Sequence, residues 1–228
     1  MNDAILKWVF RHAMLMLAAA CAGMILQALW PVVLVMCLSA GYFIYSQYNV
    51  WSRLAPFGGY ANYVTAARWI LLLYVLLMRT SLDNHWFVAL IVLVIIADGI
   101  DGYLARRFQS ETEFGEVFDT EVDAFLALSL CMIIAMGHPT ALWILFGGCL
   151  RYIFVIGYRL FGWQNRRRPQ MPETKTFAVL YFLSLLSPWL MTWTYAVWIL
   201  VAGTLLVSYS FLREFILMQR VRANRGGQ

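Results

Sequence analysis

Apolar runs separated by short polar stretches recur along the chain every 20 to 30 residues, and each is close to the roughly 20 residues a helix needs to cross the hydrocarbon core of a bilayer. The pattern predicts eight helical spans, at about 13–29, 31–48, 62–79, 86–108, 116–137, 139–160, 175–191 and 193–213. The first run lacks a small-residue cleavage site and is followed by further spans, so it reads as a retained helix and not a signal peptide. Pro56 and the pair Gly58-Gly59 mark a loop or interfacial stretch after the second run. The chain therefore divides into an amino-terminal extension with two spans (1–59), a six-helix membrane body (60–215) and a basic tail (216–228). Residues 13–48 hold no acidic residue and no Lys or Arg, and nothing in these first two spans suggests chemistry.

Composition agrees with an all-α integral membrane protein. Of the 228 residues, 62% are hydrophobic and 13% charged, against about 25% charged in soluble domains. With eight spans, one side of the membrane takes both termini and the loops after spans two, four and six. Sixteen of the 17 Lys and Arg residues fall on that side, counting Arg68 and Arg151 with it, and Arg79 alone lies opposite. The positive-inside rule places that side in the cytoplasm, which for a bacterial protein means the inner membrane. The net charge of +5 reflects this asymmetry, and so argues for topology and anionic lipid, not for nucleic acid. Cys21, Cys37, Cys131 and Cys149 sit singly in apolar spans and read as packing residues. His12, His85 and His138 read as interface histidines near span ends.

Four aspartates break the apolar pattern. Asp98, Asp101, Asp119 and Asp123 stand at the cytoplasmic ends of two consecutive spans, where each ionised group costs several kcal/mol unless something compensates it. At about 100° per residue, Asp98, Asp101, Gly102 and Ala105 share a narrow helix face with Arg106 at its edge, and Gly115, Asp119 and Asp123 repeat every fourth residue on the next helix. Two carboxylate faces that converge would repel, and some groups would protonate, unless cations neutralise them. Oxygen-only ligation favours Mg²⁺, Mn²⁺ or Ca²⁺ over zinc. A pair of such ions suits a phosphoryl displacement. The plainer alternative is interfacial aspartates paired with Arg68, Arg106 and Arg107.

The stretch Asp98-Gly99-Ile100-Asp101-Gly102-Tyr103-Leu104-Ala105-Arg106, followed by eight residues, Gly115, three residues, Asp119, three residues and Asp123, matches eight fixed residues over 26 positions. It resembles the complete D-x2-D-G-x2-A-R-x8-G-x3-D-x3-D motif of the CDP-alcohol phosphatidyltransferase family. Upstream, Asn62, Thr65 and Arg68 are similar to that family's Pro-Asn-x-x-Thr-x-x-Arg segment, with Ala61 in the proline's place. The resemblance implies a six-helix catalytic body, a homodimer, and two divalent ions, Mg²⁺ or Mn²⁺, held by Asp98, Asp101, Asp119 and Asp123. It makes Asp123 the general base. It implies further that Asn62, Thr65, Arg68, Gly102, Ala105, Arg106 and Gly115 bind the nucleotide end of a CDP-diacylglycerol donor. The implied reaction moves a phosphatidyl group to an alcohol acceptor and releases CMP.

The acceptor is read from Arg151 inside span six, Arg159 two turns later and Lys175 at the start of span seven. An intramembrane arginine is functional by default, and this trio suits a phosphorylated acceptor such as glycerol-3-phosphate or inositol phosphate. The alternative pairs Arg151 with an aspartate of the cluster, while the other two reach the surface. Glu173-Thr174-Lys175-Thr176 departs from the Gly-Lys-x-Lys-Thr of phosphate-accepting relatives, which keeps serine, inositol and choline as alternatives. Intramembrane prenyltransferases place their aspartates in two distant loops, and a cation transporter would leave Gly102, Ala105 and Arg106 without a role.

Overall fold

The computed structural model describes residues 3–46, 60–107, 113–161 and 172–223; the side chains of 60–62, 100–107, 114, 172–173 and 220–223 lie outside the description. Among the described residues the chain is helical, with no strand. The long helices are α1 (Asp3–Leu26), α2 (Trp30–Ser46), α3 (Tyr60–Leu77), α4 (Asn84–Arg107), α5 (Glu113–Gly137), α6 (Ile144–Leu160), α7 (Pro172–Leu185) and α8 (Trp193–Ala223). Among the described residues three segments, Asp3–Leu26, Pro139–Leu160 and Trp193–Gln219, are long and apolar enough to cross a membrane. Shorter apolar helices occupy Trp30–Ser46, Tyr63–Leu77, Asn84–Gly99 and Thr174–Leu185.

Local chemistry explains where the helices stop. α1 ends in a left-handed Gln27 at φ 51°, and the amide of Ala28 donates back to the carbonyl of Gly23 at 2.9 Å. Glycine is usual at such a cap; here the Gln27 amide donates to the Met24 carbonyl at 2.7 Å and offsets part of the strain. The expected span 175–191 is interrupted. α7 stops at Leu185, and a four-residue helical turn, Ser187–Leu190, follows, because Pro188 has no amide to donate and its ring crowds the preceding turn. α1 begins earlier than the expected span, and α8 runs on to Ala223 through much of the expected basic tail.

α5 is the central element. It packs against α1, α2, α3, α6 and α7, and Phe125, Leu128, Leu130, Cys131 and Met132 along it are fully buried. Contact with α6 is close. A Cβ added at Gly148 would lie 3.0 Å from the Leu128 backbone and 3.1 Å from Cys131. The first two helices are not a separate layer, because α1 lies along α6 and also touches α5. Arg79, placed by its sequence on the opposite side from the other basic residues, is held over the rings of Phe87 (4.5 Å) and Trp189 (5.7 Å), and donates to the Asn84 side chain at 3.1 Å.

Candidate active site on the central helix

Three helices converge at one end of the bundle. α3 presents Thr65, Arg68 and Leu72 on one buried stripe, the spacing of three and four residues that defines a helix face. α4 brings Asp98, and α5 brings Asp119 and Asp123 one turn apart, with Gly115 a turn earlier. Carboxylate oxygens of Asp98, Asp119 and Asp123 lie within 4.8 Å of one another. The Arg68 guanidinium sits beneath them: Nη1 donates to Asp98, Nη2 donates to Asp119, and Nη2 lies 3.4 Å from Asp123.

Burial orders this site from floor to mouth. The Arg68 side chain is 1% exposed, whereas those of Asp98, Asp119 and Asp123 are 37%, 34% and 34% exposed. Each carboxylate therefore keeps a face directed away from the arginine. Among the described residues, the three carboxylates gather on one guanidinium. The plain alternative of interfacial aspartates paired with arginine is realised through Arg68, and the side chains of Arg106 and Arg107 lie outside the described residues. An all-oxygen set with this spacing and charge suits a divalent cation.

The structure gives Arg68 these carboxylates as its immediate partners, where the sequence reading gave it the nucleotide. Thr65 is buried one turn before it. The backbone of α4 continues through Asp101, Gly102, Ala105 and Arg106, and the side chains of these residues and of Asn62 lie outside the described ones.

A second buried polar centre lies on the other side of α5. Glu121 is two residues from both Asp119 and Asp123, so it points roughly 160–200° away from them around the helix. Its Oε1 accepts from Arg151 Nη2 of α6 at 2.8 Å, and its Oε2 lies 3.8 Å from His12 Nε2 of α1. His12 Nδ1 is 2.9 Å from the Ser39 hydroxyl of α2, and its ring stacks on Trp8. His12 and Glu121 have side chains 0% and 1% exposed. This corrects three expectations. His12 is a core residue and not an interfacial one, among the described residues Arg151 pairs with Glu121 and not with the aspartate cluster, and the first two helices do contribute polar chemistry. Arg159 lies over the Phe10 ring of α1 at 4.3 Å, and Lys175 is exposed on α7. Nothing local in the sequence signals the centre, because its members come from four helices.

Comparison with known proteins agrees with the motif. The sequence model described as CDP-alcohol phosphatidyltransferase matches residues 59–210. Proteins named CDP-diacylglycerol--glycerol-3-phosphate 3-phosphatidyltransferase from Rickettsia typhi (strain ATCC VR-144 / Wilmington) and Rickettsia prowazekii (strain Madrid E) are each 37% identical over 68 residues, which is 28% of this chain and 38% of theirs. The chain thus covers well under half of the length of these relatives. No solved structure gives a significant match. With the family match covering about two thirds of the sequence and three of the motif's aspartates converging on one buried arginine, the chain belongs to the CDP-alcohol phosphatidyltransferase family.

Proposed function

We propose that this protein transfers a phosphatidyl group from CDP-diacylglycerol to an alcohol and releases CMP. The observation that carries the reading is the convergence of Asp98, Asp119 and Asp123, in the register of the family motif, with their outer faces open above Arg68. In this reading Asp98, Asp101, Asp119 and Asp123 hold two divalent ions, Mg²⁺ or Mn²⁺, which neutralise the donor diphosphate and the departing CMP oxygen when bound. Asp123 takes the proton from the acceptor hydroxyl. The hydroxyl oxygen forms a bond to the lipid-side phosphorus, the bond from that phosphorus to the CMP oxygen breaks, and CMP leaves with its electron pair. Arg68 keeps the carboxylates from repelling one another. Asn62, Thr65, Gly102, Ala105, Arg106 and Gly115 form the nucleotide side of the pocket.

The fold reading that accompanies this function has eight spans, a six-helix catalytic body, both termini and the site on the cytoplasmic face, and a homodimer. Glycerol-3-phosphate is the first acceptor to test, because the Rickettsia relatives carry it in their names. The acceptor pocket then draws on Arg151, Arg159 and Lys175, with Arg151 held through its Nη2 by Glu121. Serine, inositol, inositol phosphate and choline are the alternatives.

The test is CMP release by purified protein in Mg²⁺ or Mn²⁺ with CDP-diacylglycerol and each acceptor in turn. Release with one acceptor, abolished by chelation, is expected. Asp123→Asn should lower it by about 10²–10⁴-fold, the usual contribution of a positioned general base. Folded protein that releases no CMP with any acceptor would refute the reading.

A further inference from the structure

We propose that Glu121, Arg151 and His12 are positioning residues that fix the rotation of α5, and so hold Asp119 and Asp123 in metal-binding register. On this proposal the first two helices belong to the active-site scaffold. It rests on the metal reading given under Proposed function.

The geometry supports the proposal in three ways. Asp119 and Asp123 share one face of α5 and Glu121 occupies the opposite face, so whatever pins Glu121 also pins the aspartates. A shift of one residue turns a helix by about 100° and would carry both carboxylates away from Asp98. Second, the helix is held from both sides by arginine: Arg68 of α3 on the aspartate face and Arg151 of α6 on the glutamate face. A guanidinium paired with a carboxylate is directional in a way that apolar packing is not.

Third, stability alone does not account for the cluster. His12 Nε2, Glu121 Oε2, Arg151 Nε and Nη1, and the Tyr152 hydroxyl are buried without hydrogen-bond partners among the described residues. Apolar side chains of similar volume often do as well as a buried ion pair or better. The charges instead specify one orientation, and the chain of contacts runs from Glu121 through His12 to Ser39, and from Ser39 to Trp8, whose indole donates to the Ser39 carbonyl at 3.0 Å. Arg159 over Phe10 ties α6 to α1 further along.

The experiment is Mn²⁺ titration of the full chain in detergent, followed by electron paramagnetic resonance, with a thermal unfolding measurement on each variant. Glu121→Gln and Arg151→Lys are expected to weaken Mn²⁺ binding by about 10–100-fold, the range for losing a residue that orients a metal ligand. The double variant Glu121→Met/Arg151→Met replaces the pair with apolar side chains and keeps the fold decidable should a single variant not fold. It is expected to unfold no earlier than wild type and still bind Mn²⁺ weakly. Where CMP release is measured, kcat should fall with the donor KM unchanged. Wild-type Mn²⁺ affinity in the folded double variant would overturn the proposal. Wild-type protein that binds no Mn²⁺ would overturn it together with the metal reading, whereas protein that binds Mn²⁺ but releases no CMP would leave the positioning test intact and refute only the reaction.

Discussion

Arg68 carries two meanings in the sequence, a partner for the aspartates and a residue of the nucleotide-binding segment. Its spacing from Asn62 and Thr65 resembles a nucleotide-binding segment, yet its guanidinium lies beneath Asp98, Asp119 and Asp123. If its work is charge compensation, Arg68→Gln removes the guanidinium that Asp98 and Asp119 share. Loss of a partner from a fully buried pair costs about 3–5 kcal/mol. Because each carboxylate here is about a third exposed, about 1–3 kcal/mol is the better expectation. Divalent cation should replace the lost charge, so the gap in unfolding temperature between Arg68→Gln and wild type should be wide in chelator and narrow in millimolar Mn²⁺. A gap of equal size in both conditions would assign Arg68 to packing or to the donor. The aspartates were legible in the sequence because their motif is local, eight residues within one pair of helices. His12 and Arg151 were not legible as partners of Glu121, since no periodicity connects residues on α1, α5 and α6.

At the scale of the element, the apolar runs located the long helices well, because a run of that length has few other ways to satisfy its backbone in lipid. They did not mark the break at Pro188, where one expected span becomes α7 and a short turn. Nor did they show which helix lies at the centre. That depends on how many neighbours α5 meets, five of the other long helices, and on small residues that admit a neighbour. Gly148 and Gly157 of α6 separate these effects. A Cβ at Gly148 meets α5 at 3.0–3.1 Å, and a Cβ at Gly157 meets nothing within 4 Å. Gly148→Ala should therefore destabilise by about 1–3 kcal/mol through overpacking. Gly157→Ala should be neutral or stabilising by up to about 1 kcal/mol through helix propensity. Equal effects of the two in a thermal unfolding series would mean that α6 does not sit as closely on α5 as described.

At the scale of the molecule, the division into an extension and a catalytic body makes a prediction of its own. An independent body should survive removal of the first two helices. In the structure, however, α1 buries Ile5, Trp8, Val9, His12, Ala13 and Met16 in the common core, and it covers the side of the bundle where Glu121 and Arg151 lie. Apolar surface newly exposed to lipid costs little, because acyl chains are as apolar as the helix that left. The exposed ion pair is different, since charged groups facing hydrocarbon cost several kcal/mol each. A chain truncated to residues 60–228 should therefore insert but unfold at lower temperature than the full chain and bind Mn²⁺ poorly. Adding Glu121→Met/Arg151→Met to the truncation should restore much of the thermal stability, by removing the stranded charges, without restoring Mn²⁺ affinity. A truncated chain with native Glu121 and Arg151 that matches the full protein in both measurements would show that the extension is an appendage, and that the α5 face carrying Asp119 and Asp123 is set by the six-helix body alone.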